Sequence, residues 1–356
     1  MKHAGPHAFT LWACKDMTSA IRKDAAELRG AFGPNTAFLP YCGDIKNMYT
    51  SLPHDMVIRA IEFVLDRCAR TRQGRTRHVS FERKHRGRIQ FGRSRSNSEM
   101  GCMSFKDILR VSSFDIRHAF FKSLGTVLRQ VVGIPMGSPG SPSYAICICM
   151  YYEHQFHQSL HDHKRLVRGK RYIDDLFALV AFDKTDRSSY DRARAIIARL
   201  EHAYHPDMKL KPEDTTKEFA FLQGLLTVHG TGVTIRHHAK NFSRAREGKP
   251  RLLTTKHRRT FMTSRMAINT VLGALHRLAQ TTVEDELFLP DIYRLLWGMH
   301  TIGYTTRDFH KALRRIAKTL PDEKWANALR HVRAHELLFN YTPQSVERFL
   351  RYTSAS

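Results

Sequence analysis

Acidic residues are scarce in this chain. Its 356 residues include 33 Asp and Glu against 58 Lys and Arg, a formal charge of +25. Such an imbalance is foreign to a soluble metabolic enzyme and implies a polyanionic partner, of which nucleic acid is the usual one. An anionic membrane surface would attract such a chain too, but no apolar run reaches the roughly 18 residues that crossing a bilayer requires. The first residues lack the apolar core and small-residue cleavage site of a secretory signal. The expectation is a nuclear protein, with the cytoplasm open, and no membrane partner.

Cysteine is sparse as well. The six residues stand at positions 14, 42, 68, 102, 147 and 149, and only the last two are close, as Cys-x-Cys. That spacing fits neither a zinc ribbon nor a disulfide framework, so the cysteines read as small buried hydrophobes. No internal repeat is present.

Apolar residues, in contrast, make up 42% of the chain, enough for a substantial core divided into two or three subdomains. Residues 18–32 read as a helix ended by Gly33, Pro34 and Asn35. Residues 37–45, AFLPYCGDI, form a short apolar strand with Asp44 near its end. Met56, Val57, Ala60, Ile61, Val64 and Leu65 then repeat at helical spacing after Pro53, with Ser51 or Thr50 as cap. Residues 67–98 are crowded with arginine, and HVSFER and RIQFGR alternate as two strands of a basic hairpin. Nucleic-acid contact and a solvated arm both fit that insertion.

Further on, VVGIPMGSPGSPSYAICICMYYEHQFHQSL divides into a Gly/Pro/Ser loop and a helix. RYIDDLFALVAF, residues 171–182, reads as a β-hairpin turning near its acidic pair. A polar helix follows at 188–204, and FAFLQGLLTVHGTGVTIRH reads as a hairpin turning at 229–232. Beyond about 252 the chain is helical, with breaks at Phe288-Leu289-Pro290 and near Pro321.

Asp174 and Asp175 sit inside an apolar strand-forming stretch, where uncompensated charge costs several kcal/mol by order of magnitude. A cation should therefore accompany them, and hard carboxylate oxygens suit Mg²⁺ or Mn²⁺. Asp44 ends another apolar strand far away in sequence. If those strands are neighbours, the three carboxylates converge into a site able to hold two metal ions about 3.5 to 4 Å apart. His154, His157, His161 and His163 cluster on the helix after the glycine loop. His157 and His161 have zinc-compatible spacing, yet no further ligand is evident to pair with them.

These motifs resemble a known family. DIKNMY from Asp44, GIPMGS from Gly133 with Ser141-Pro142, and YIDD from Tyr172 resemble three successive palm motifs of reverse transcriptases, in the right order. The Met that replaces a common Gln at position 136, with DIKNMYTSLPHD and KRYIDD, resembles Penelope-like retroelements most. Telomerase reverse transcriptase is a more distant relative. The resemblance covers residues 37–277.

It implies an α+β fold: a right-hand palm, with an antiparallel sheet backed by helices, followed by an all-helical thumb. The implied domains are a short helical segment at 1–36, the palm at 37–238 and the thumb with its extension at 239–356. It further implies RNA-directed DNA synthesis from deoxynucleoside triphosphates, on an RNA template and DNA primer, with two Mg²⁺ or Mn²⁺ ions. Asp44, Asp174, Asp175 and the carbonyl of Ile45 would be the metal ligands.

Tyr49 would lie beneath the incoming sugar, with Met136 and Gly137 also at the nucleotide. Glycines in that loop would allow close approach to a base pair. Lys211 is the nucleotide-binding candidate among three lysines, Lys209 and Lys217 being the alternatives. Arg129, Gln130, Ser138, Phe221, Leu222, Lys240, Arg265 and Arg277 are the nucleic-acid-binding candidates, since phosphate contact by basic residues suits a protein that must slide.

Two family features are expected to be missing. No fingers motif is visible among the roughly forty residues before Asp44, and no GIY-YIG endonuclease follows the helical end. A working polymerase and a truncated or domesticated module that binds RNA or RNA-DNA hybrid without copying it are therefore the two readings. A metal-dependent nuclease is weaker, because no separate water-activating base is evident.

Overall fold

The computed structural model describes residues 9–71, 77–82, 89–93, 100–230, 232–253, 255–320 and 322–353. They divide into two compact units. The first comprises residues 9–12 and Asp24–Thr215, and the second comprises Ala13–Lys23 and the chain from Thr216 onward. Helix α1 (Met17–Phe32) thus contributes its first residues to the second unit and the rest to the first.

The first unit continues with β1 (Thr36–Ile45), α2 (His54–Thr71), β2 (His78–Glu82), β3 (Ile89–Phe91) and β4 (Met100–Ser104). Then come α3 (Phe105–Arg117), β5 (Phe120–Ser123), β6 (Thr126–Arg129), α4 (Ser141–Ser159), β7 (Val167–Tyr172), β8 (Asp175–Asp183), α5 (Arg187–Glu201) and β9 (Leu210–Pro212). Its main sheet is antiparallel in the order β7-β8-β1-β9. Strand β8 is buried continuously from Leu176 to Ala181, which explains its unbroken apolar sequence: both faces are covered. Pro40 is tolerated in β1 because β9 pairs only with Gly43–Ile45, leaving one side open where a missing N–H is harmless.

Helices α2 and α4 pack together in this unit. Val57, Ala60, Ile61 and Val64 of α2 are buried with Ala145, Ile148 and Cys149 of α4 in one core, so the helical spacing read from α2 is its buried face. Cys42, Cys68, Cys147 and Cys149 are buried and Cys102 is exposed, and no disulfide joins any of the six. The basic insertion contains the expected antiparallel pair β2–β3, to which β4 adds a third strand. The parts of that insertion at 72–76, 83–88 and 94–99 lie outside the described residues.

The second unit opens on the antiparallel strands β10 (Phe219–Phe221), β11 (Gly224–His229) and β12 (Gly232–His237). Helices α6 (Lys240–Arg246), α7 (Ser264–Thr281), α8 (Asp285–His300), α9 (Thr306–Thr319), α10 (Glu323–Ala334) and α11 (Pro343–Thr353) follow. Leu275, Ile292, Leu296, Phe309, Leu313 and Trp325 share their core.

Two expectations are corrected here. Residues 219–237, grouped by sequence with the preceding domain, belong to the second unit, because β12 packs on α7 and α8. The helix also does not break at Pro290: α8 starts at Asp285 and runs through it. Pro290 is the sixth residue of α8, past the first turn, so it removes one bond of the ladder; burial of Phe288, Pro290, Ile292 and Tyr293 holds the helix through it. The real break is at residues 282–284, where Thr282 and Glu284 adopt extended backbone.

Among the described residues, no helix is long and apolar enough to cross a membrane.

Candidate acidic site

The pairing of β1 and β8 places Asp44 directly opposite Asp175. On the other side of β1, Asp44 faces Lys211 of β9, and on the other side of β8, Asp175 faces Tyr172 of β7. Cross-strand partners share a face of the sheet. Tyr172, Asp175, Asp44 and Lys211 therefore form one row across all four strands. Among the three lysines considered from sequence, Lys211 is the one opposite Asp44. Lys209 contributes its carbonyl, accepting from Lys46 N–H at 2.9 Å, and Lys217 belongs to the second unit.

Asp174 is carried by the two-residue turn between β7 and β8. Its carbonyl accepts from the buried Ile45 N–H at 2.9 Å, tying the turn to the end of β1. Ile173, beside it, has φ of 57°, a conformation that costs a β-branched residue strain and that clusters at functional sites.

The turn is braced from below. Arg171 and Glu153 are fully buried, and the Arg171 Nε donates to Glu153 Oε1. Arg171 Nη1 donates to the Ile173 carbonyl at 2.9 Å and Nη2 to Thr10 Oγ1 at 3.0 Å. Glu153 also accepts from Phe9 N–H at 3.0 Å and from the Tyr204 hydroxyl at 3.1 Å. Burial, followed by the Glu153 charge, pushes the Tyr204 hydroxyl well above its ordinary pKa, so it stays a donor. A buried pair is tolerated only when its remaining polar atoms are satisfied in this way.

Two carboxylates directly opposite one another repel. The cation that meets this repulsion is Lys46, whose ammonium pairs with Asp44 Oδ2. Its pKa is raised by that hydrogen bond and by the charge of Asp44, with Asp174 and Asp175 adding to the effect. Among the described residues no three His, Cys, Asp or Glu side chains stand together as a metal-holding group. The backbone brings hard oxygen donors of the right kind to one place, which suits a divalent metal. Their side chains are not gathered around a common point, and Lys46 holds Asp44.

The glycine loop docks beside this site. Gly133 N–H donates to Leu52 O at 2.8 Å and Ile134 N–H to Tyr49 O at 2.7 Å. Gly133 has φ of 89°, and a Cβ there would lie 2.5 Å from Tyr49 O. Its close approach is thus to the protein's own backbone, where the sequence suggested a base pair. Gly137, at φ of 97°, faces open space, and Met136 beside it is exposed. Ser138 Oγ donates to Asp115 Oδ2 at 2.9 Å, as does the Tyr144 hydroxyl. Tyr49 is half-buried, and burial followed by the Asp174 charge raises its pKa.

The remaining candidates are dispersed. Arg129 is exposed on β6, whose strand pairs with β5, and Gln130 Nε2 donates to Val132 O at 2.9 Å. Lys240, Arg265 and Arg277 belong to α6 and α7 of the second unit. Phe221 is only 2% exposed, so its ring is core and offers no face to a strand, a correction of its expected contact role. Leu222 sits in the β10–β11 turn at φ of 53°. Of the histidines, His157 packs edge-on against Phe9 and Phe156, and His154 lies on Phe63 and bonds Arg67.

Sequence reasoning missed Lys46, Asp115, Glu153 and Arg171. The available signal was the alternation in VRGKRY, which points Arg171 inward with Val167 and Gly169: a charge at a core position requires a buried partner.

The structure resembles that of telomerase from Candida albicans bound to a TWJ fragment of telomeric RNA, with a TM-score of 0.53 at 16% identity, covering 90% of this chain and 48% of that one. The fold is reverse-transcriptase-like. Apo telomerase from Candida tropicalis also matches, with a TM-score of 0.49 at 12% identity over 96% of this chain and 56% of that one. A C. tropicalis complex with the TWJ fragment gives 0.45 at 10% identity over 96% and 53%. The chain spans about half the length of these telomerase chains. No protein-family model matches the sequence, and no curated protein does.

Proposed function

We propose that the chain is an RNA-directed DNA polymerase of a retroelement, of Penelope-like descent, acting in the nucleus. The observation that carries this reading is the backbone placement of Asp44, Asp174 and Asp175 at one end of an antiparallel sheet within a reverse-transcriptase-like fold. The C. albicans neighbour is described with an RNA fragment, and an RNA template with a DNA primer suits the charge of +25.

In this reading the first unit acts as the palm and the helices of the second as the thumb. Asp44, Asp174, Asp175 and the carbonyl of Ile45 would hold two Mg²⁺ or Mn²⁺ ions. Bound there, such ions activate an attacking hydroxyl and stabilise a leaving pyrophosphate. Lys46 must release Asp44 for them to enter. Lys211, in the row beside Asp44, would give a proton from Nζ to the leaving pyrophosphate. Tyr49 bounds the sugar pocket and excludes a 2′-hydroxyl, while Met136 and Gly137 border the deoxynucleoside triphosphate. Arg129, Gln130, Ser138, Leu222, Lys240, Arg265 and Arg277 hold template and primer.

The ion pair between Lys46 and Asp44 favours one alternative, a catalytically silent module that binds RNA or RNA-DNA hybrid. Primer extension on an RNA template with Mg²⁺ or Mn²⁺, comparing the parent with Asp174→Asn, separates the two. Extension by the parent alone supports the polymerase. Absence of extension by both, with equal salt-sensitive hybrid binding, overturns it in favour of the binding module.

A further inference from the structure

A cavity of about 550 Å³ lies within the second unit, bounded by the end of β12, the start of α6 and facing sides of α7 and α8. That is a volume typical of small-ligand sites. His237 lines it and is 92% buried, being 8% exposed, yet among the described residues its Nδ1 has no hydrogen-bond partner. The same holds for Nδ1 of His238 and the hydroxyl of Thr255, both also in the lining. Buried polar atoms are satisfied in the great majority of cases, so three orphans around one cavity call for a hydrogen-bonding occupant.

The charge of the cavity says what kind. Among the described residues its lining contains no Asp or Glu, and it includes Lys240, Arg277 and Arg294. Arg294 is neutralised by Asp291 and Glu347. Among the described residues Lys240 and Arg277 have no carboxylate partner, and both stand exposed at the rim. The Arg277 guanidinium lies over Gly273, with Nη1 3.7 Å from where a Cβ would be, so this glycine leaves it room. Burial, joined for His237 by neighbouring His238 and the charge of Arg277 and for His238 by the charge of Lys240, pushes the pKa of each down to about 4. At neutral pH each imidazole is therefore uncharged, with one N–H to donate.

We propose that this cavity binds a phosphate group, borne either by a free nucleotide or by a nucleic-acid strand, with Lys240 and Arg277 at its rim and His237 and His238 at its floor. Cationic donors in a carboxylate-free pocket favour a polyvalent oxyanion, and charge-assisted hydrogen bonds are the strong ones. For a strand phosphate the assignment rests on the proposed nucleic-acid contact of Lys240 and Arg277, and in neither case does it rest on a catalytic step. It is read by binding, so its failure and that of the polymerase reading are distinguishable.

The test is titration of the full chain with a deoxynucleoside 5′-monophosphate and with a short single-stranded DNA, followed by calorimetry and by the imidazole ¹⁵N resonances of His237 and His238. Arg277→Gln and Lys240→Gln, both surface substitutions, are compared with Arg307→Gln, an exposed arginine elsewhere on the unit that removes the same charge. Loss of about tenfold in mononucleotide affinity in the first two variants and not in the third, with shifts of both imidazoles, assigns a nucleotide site. The same pattern with the oligonucleotide alone assigns a strand phosphate. Equal weakening by Arg307→Gln, or imidazoles that do not respond to either probe, overturns the proposal in favour of diffuse electrostatic attraction.

Discussion

Arg171 donates through Nη1 to the main-chain carbonyl of Ile173, 2.9 Å away, and so holds from inside the protein the turn that carries Asp174. The same guanidinium is anchored by Glu153 and Thr10. Its three branches address three different elements, a task for a planar fork that a lysine ammonium on its flexible stem cannot reproduce.

Removing one partner of this buried pair leaves the other charge uncompensated. Arg171→Met or Glu153→Gln should each destabilise the first unit by about 3 to 5 kcal/mol, measured from urea denaturation midpoints. Arg171→Lys should recover little of that loss. A loss below about 1 kcal/mol in all three would show that the pair is not what braces the turn.

Gly133 and Gly137 should respond differently to alanine. Both have positive φ, which costs an L-residue roughly 1 to 2 kcal/mol. Gly137 faces open space, whereas a Cβ on Gly133 would press against Tyr49 O. Gly133→Ala should therefore be the more damaging by a clear margin in thermal unfolding, and equal midpoints would contradict the packing described.

The buried imidazoles make stability fall in mild acid. His237 and His238 titrate near 4 when folded, against about 6.5 in the unfolded chain. The unfolded state takes up more protons between these values, so the stabilisation is complete above pH 6.5 and is lost as pH falls towards 4. For His237 the full loss is on the order of 3 kcal/mol. Urea midpoints measured at several pH values should show a shallower decline over this window in His237→Phe than in the parent. Identical pH profiles would refute the burial argument.

Lys46 competes with any metal for Asp44. Replacing it by Met should tighten Mn²⁺ binding by about two- to fivefold, the worth of a half-exposed ion pair, as read from the free Mn²⁺ signal in electron paramagnetic resonance. Unchanged or weaker binding would mean that the ammonium is no obstacle. The Asp44→Asn variant serves as the reference in which competition has no target.

Several elements surrounding the acidic site were legible from local pattern: unbroken apolar runs mark β1 and β8, and helical spacing marks α2, because their buried faces are written in residue order. The part of β7 before Arg171 and the short β9 that carries Lys211 were not read. Asp44, Asp174 and Asp175 stood out as charges inside apolar strands. Phe221 misled for the opposite reason: an aromatic beside a turn has the same local signature whether its ring is presented or buried, and burial is settled by neighbours far along the chain. Pro290 misled because burial of the residues around it, settled by distant contacts, holds the helix through it.

By itself the sequence determined the strongly basic charge, the strand-turn-strand setting of the Asp pair and the order of the three motifs, since each depends on composition or on neighbours a few residues apart. Only the tertiary structure decided that Asp44 faces both Asp175 and Lys211, that Arg171 and Glu153 brace the turn, and that His237 lies orphaned beside Arg277. Those are relationships of register and burial between segments tens to more than a hundred residues apart, and they exist only once the strands have paired and the cores have closed.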